Sequence, residues 1–110
     1  MFQTPESIFE GAWAETVVRT SVKRLRAEYQ AEGKANQFVE LKRYLSRPAD
    51  SGAYSASARA LGLSVEAVAM AVLRLRRRYR AMVRAEVGST VATPAEIDEE
   101  MRYLVELLAQ

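Results

Sequence analysis

The chain contains no cysteine and no histidine. Disulfides and thiolate metal sites are therefore excluded, and the commonest metal ligand and general base are missing as well. There is no apolar run near the roughly 20 residues that span a bilayer, and Glu6 interrupts the short apolar start, so neither a membrane helix nor a signal peptide is expected. GxxxxGK[ST] and GxGxxG are absent, so no phosphate-cradling loop is indicated. Asp98, Glu99 and Glu100 are adjacent on a helical stretch, where their side chains diverge; they suit a helix N-terminus better than paired acid–base work. These absences argue against an enzyme and imply no cofactor and no metal. A cytoplasmic protein of one 110-residue domain is the default reading.

What is present is charge, unevenly placed. The net charge is +2, but residues 74–84 carry +6, residues 85–110 carry −5 and residues 1–73 carry +1. A near-neutral body thus bears a basic helix and an acidic tail that should attract each other.

The pivot is Tyr54 to Arg84, YSASARALGLSVEAVAMAVLRLRRRYRAMVR. It reads as a short helix over 55–61, a left-handed turn at Gly62, Leu63 pointing back inward, and a second helix capped by Ser64. Val65, Val68, Val72, Leu75, Tyr79 and Met82 recur at three- and four-residue steps and form its apolar face. Ala58 is small where two helices would cross, and Val68 anchors the second; a helix-turn-helix needs both, although a plain helical hairpin has the same pattern. Arg74, Arg76, Arg77, Arg78, Arg80 and Arg84 fan over the other side with no acid among them. Like charges at four-residue spacing repel, so an anionic partner is expected, and phosphate fits best.

Residues 54–84 resemble the C-terminal promoter-reading domain of bacterial sigma factors of the extracytoplasmic-function type. The resemblance rests on Tyr54, Ala58, Leu61, Gly62, Ser64, Val68, Arg74, Arg76, Arg77, Arg78, Tyr79 and Arg80. It extends upstream over residues 4–46 and covers about the C-terminal half of such a factor. It implies a transcription-initiation module that sets its second helix in the major groove of the upstream promoter element and contacts RNA polymerase. The expected DNA-contacting residues are Ser64, Glu66, Arg74, Arg76, Arg77, Arg78 and Arg80. The chain departs from the family where polar groove-facing side chains are usual: Ala67, Val68, Ala69, Met70, Ala71 and Leu73 stand there, and none hydrogen-bonds a base edge.

The other segments are helical too. Thr4-Pro5 starts a helix to about Glu32, stopped by Gly33, with two apolar registers: Phe9, Trp13 and Val17 on one side, Val18, Val22, Leu25 and Tyr29 on another. Two packing partners follow. The later half belongs on the helix-turn-helix; the earlier half belongs on a second copy, a preceding domain or the C-terminal helix. A helix over 34–45 turns Ala35, Phe38, Leu41 and Leu45 inward, and residues 46–52 form a loop. Gly88 begins a hinge, and Thr93-Pro94-Ala95-Glu96 starts an acidic amphipathic helix to Ala109 with Ile97, Met101, Leu104, Val105 and Leu108 as its stripe.

The expected fold is all-α, about five helices around a helix-turn-helix: a long helix over 4–33, a core over 34–87 and the acidic helix over 93–109. Double-stranded DNA is the expected partner. The alternative is a degenerate helix-turn-helix that binds proteins or itself through Trp13, Met70 and Leu73, including a homodimer through the N-terminal helix. Met70 and Leu73 lie opposite the core face, so the acidic tail is expected to cover them and shield the arginines.

Overall fold

The computed structural model describes residues 5–89 and 94–109, with side chains from Gly11 to Ser89 and from Ala95 to Ala109. The expected caps Thr4 and Thr93 and the Phe9 side chain lie outside these. The fold is all-helical: α1 Pro5–Ala31, α2 Ala35–Leu41 continued by a 3-10 turn Lys42–Leu45, α3 Ala53–Leu61, α4 Val65–Gly88 and α5 Pro94–Leu108. Among the described residues there is no strand, and no single helix is long and apolar enough to cross a membrane. The chain divides into two compact units, Arg24–Arg80 and Met1–Lys23 with Ala81–Gln110.

The Arg24–Arg80 unit has a core of Leu25, Tyr29, Phe38, Leu41, Tyr44, Ala58, Val68, Ala71, Val72 and Leu75. The Tyr29 and Phe38 rings tilt against each other at 5.6 Å, where the C-terminal part of α1 meets α2. Tyr44 was not among the expected inward residues. The chain tightens from α-helix to 3-10 turn at Lys42, and this advance in phase buries Tyr44 while Leu45 stays half-buried and Ala35 is exposed. The Tyr44 hydroxyl bonds the buried Ser57 hydroxyl at 2.7 Å, and Ser57 donates to the Glu40 carboxylate at 2.9 Å. The Tyr44 ring also meets Tyr54 edge-on at 5.1 Å. This polar chain satisfies two buried hydroxyls and ties the end of α2 to α3.

Between α3 and α4 the chain does what its residues dictate. Gly62 adopts φ +66°, closing α3 with N–H bonds from both Gly62 and Leu63 to the Ala58 carbonyl. Leu63 is nonetheless exposed rather than turned inward. The Ser64 hydroxyl accepts the Ala67 N–H at 3.0 Å and caps α4. The axes of α3 and α4 then differ by 97°.

In the other unit, Ala14, Val17, Ser21, Val83, Val87 and Leu104 are buried. Ser21 explains the two registers read in α1: it holds a core position, its hydroxyl satisfied by the Val17 carbonyl at 2.7 Å. Trp13 is half-buried and its ring stacks on Tyr103 of α5 at 6.5 Å, so α5 is the partner it meets. Gly88 is the last residue of α4, and residues 90–92 of the hinge expected over 88–92 lie outside the described residues; a Cβ at Gly88 would lie 3.3 Å from Ile97 Cδ1, so its missing side chain lets α5 approach. On α5 the stripe is narrower than expected, because Val105 and Leu108 are exposed.

Replacing Gly62 by alanine meets no steric neighbour, so its cost is the left-handed backbone alone, about 1 kcal/mol or somewhat more. Ser64→Ala removes the cap and costs about 1 kcal/mol. Urea unfolding should show both losses, with unchanged slope; a Gly62→Ala midpoint equal to wild type rules out the left-handed requirement.

Candidate nucleic-acid interface

The outward face of α4 follows from its inward one. Each residue turns the helix by about 100°, so burial of Val68, Ala71, Val72 and Leu75 sends Glu66, Ala69, Met70, Leu73, Arg77 and Arg80 to the opposite side, with Arg74 and Arg76 flanking. The Ala67–Ala71 run therefore does not form one surface. Val68 and Ala71 are buried and Ala67 is half-buried, leaving Ala69 and Met70 outside. Val65, expected on the core face, is exposed at the start of the helix. Met70 and Leu73 are 55% and 41% exposed within the Arg24–Arg80 unit. The tail's acid does meet the helix lower down, where Asp98 accepts from Arg84 at 2.7 Å.

The arginines separate into two groups that the sequence could not distinguish. Arg78 lies at the edge of the buried face rather than outside. Its guanidinium reaches Glu28 at 3.2 Å and Glu32 at 2.5 Å, and sits 4.3 Å from the centre of the Tyr29 ring. The hydrogen bond from Arg78 holds the Glu32 carboxyl below the ordinary value of 4.5, and the same bond pushes the Arg78 pKa up. A guanidinium so engaged is a bolt between α1 and α4, with two carboxylates and a ring face already meeting it where a phosphate was expected. Arg76 is partly committed too, since its Nε donates to the Tyr44 carbonyl at 3.0 Å.

Arg74, Arg77 and Arg80 remain. All three are exposed, and among the described residues no carboxylate pairs with them. Ser64 and Glu66 are exposed at the head of the same helix. The structure thus brings Ser64, Glu66, Met70, Leu73, Arg74, Arg77 and Arg80 onto the outer side of one helix, and places Trp13 in the other unit. Among the described residues no three carboxylates converge as a metal site requires. Chemically, the surface offers three unneutralised cations beside an apolar strip and one carboxylate.

The residues that sequence reading missed are Glu28 and Glu32. Their only signal was position: acids on the last turns of α1, on the side of the buried Tyr29.

In comparisons with models of protein families, with curated proteins and with solved structures, the chain matches none.

The Arg78 bond has a pH consequence. Glu32 has a depressed folded-state pKa, so its contribution to stability is present above the unfolded-state value and is lost as pH falls through the folded one. Arg78→Gln should flatten that part of the acid limb of the urea midpoint, below the ordinary carboxylate value of 4.5, and lower the midpoint at pH 7. Arg77→Gln should change neither. Equal acid limbs in wild type and Arg78→Gln exclude the bolt.

Proposed function

We propose that this chain is a DNA-binding transcription-initiation module that reads an upstream promoter element in the manner of a sigma factor's C-terminal domain. The observation that carries the proposal is the division of the arginines: Arg78 and Arg84 have carboxylate partners, whereas Arg74, Arg77 and Arg80 stand outward without any among the described residues. Three exposed cations along about two turns, with no acid in the sequence between them, suit a polyanion better than a merely solvated face, where acids usually intermix.

The geometry around them supports the same reading. A helix-turn-helix joins its helices through a short glycine-containing turn at roughly 90–120°, and α3 and α4 differ by 97° across the three residues Gly62, Leu63 and Ser64. In that arrangement the start of the second helix meets base edges and its later turns reach the backbone. Ser64 and Glu66 then lie toward the groove, and Arg74, Arg77 and Arg80 toward phosphates. The resemblance to sigma factors adds RNA polymerase as the protein partner.

A second reading has its own observation. Met70 and Leu73 are large, apolar and exposed on that helix, as a docking surface for another protein or a second copy would be.

Fluorescence anisotropy of a labelled duplex separates the two. With three arginines on phosphates, log affinity should fall against log salt with slope about −2.7, and each Arg→Ala change at 74, 77 or 80 should reduce that slope by about 0.9. The triple variant should lose most binding at about 0.1 M salt while melting like wild type. A chain that ignores duplex DNA at low ionic strength, yet grows in size with concentration, belongs to the second reading.

A further inference from the structure

The apolar strip on α4 is not accounted for by phosphate binding. Met70 and Leu73 are exposed on α4, and Ala69 stands beside them. Their positions are those from which the second helix of a helix-turn-helix addresses base edges, and the strip runs directly into Arg77 and Arg80. Apolar side chains cannot take the hydrogen bonds that specify guanine or adenine. In the major groove they have one apolar feature to meet, the methyl group at C5 of a pyrimidine.

We infer that α4 recognises C5-methyl groups of major-groove pyrimidines through Ala69, Met70 and Leu73, so that thymine-bearing duplex is its preferred DNA. The inference rests on the DNA-binding reading above. The occupant is duplex DNA rather than an apolar protein surface because unneutralised arginines continue the strip: Arg77 follows Leu73 by four residues and Arg80 by seven. A polyanion that also presents methyl groups satisfies both halves of that surface.

The magnitude is modest and measurable. Burying one methyl group corresponds to about a fourfold gain in affinity, so two such contacts give on the order of tenfold. Base-specific hydrogen bonding of the polar kind is not required, and the groove preference adds to the salt-dependent background without altering its slope.

Four alternating duplexes test the point: dA–dT, dA–dU, dG–dC and dG–5-methyl-dC. Within each pair only the C5 methyl differs. Wild type is expected to bind dA–dT over dA–dU, and dG–5-methyl-dC over dG–dC, by roughly four- to tenfold per pair. Met70→Ala with Leu73→Ala, both at exposed positions that should leave the melting temperature in place, is expected to bring both ratios toward one. Equal affinity within each pair, together with the expected salt slope, overturns this inference and leaves the DNA-binding reading standing. Ratios that survive in the double variant overturn the assignment to these side chains. Binding to none of the four at low ionic strength overturns the DNA-binding reading as well.

Discussion

Burial of Val68, Val72 and Leu75 governs what the rest of this molecule presents. Each of these side chains gains about 1.5–3 kcal/mol on leaving water. Repulsion between like charges four residues apart on a helix costs only a few tenths of a kcal/mol per pair. The core therefore dictates the rotation of α4 about its axis, and the arginines take the positions left over. Met70, Leu73, Arg77 and Arg80 face outward as a geometric consequence of what faces inward. A surface specified this way is held as firmly as the core beneath it.

The unit that carries this surface is also braced by polar contacts. Arg78 joins α4 to the end of α1 through two carboxylates and an aromatic face. The Tyr44–Ser57–Glu40 chain joins α2 to α3, and Arg76 links α4 to the Tyr44 carbonyl. Of these, the Tyr44–Ser57–Glu40 chain satisfies hydroxyls that burial would otherwise penalise. With Gly62 and Ser64 setting the turn, these ties restrict how α3 and α4 move against each other. That restriction is what a binding surface built from one helix needs, since lost freedom no longer has to be supplied on association.

Pairing Arg78 and Arg84 with acids also changes the electrostatics of the arginine run. It removes part of the repulsion at Arg74/Arg78 and Arg80/Arg84, and it leaves the positive potential concentrated at Arg74, Arg77 and Arg80. The field that a polyanion would meet is smaller than the count of six arginines suggests, and better localised.

Helix positions, the left-handed Gly62, the Ser64 cap, the Gly33 stop and the alternation of faces on α4 were legible in the residues, because each depends on local backbone preference and on the 3.6-residue period. The errors have local causes too. Ser21 reads as polar but holds a core position because its hydroxyl bonds its own helix, so α1 looked split between two registers. Tyr44 was missed because a 3-10 turn shifts the phase of its helix. What the tertiary structure alone decided is which arginines are spent. The partners of Arg78, Glu28 and Glu32, lie 46 and more residues away along the chain, and no period within a helix encodes contacts made by folding two helices together.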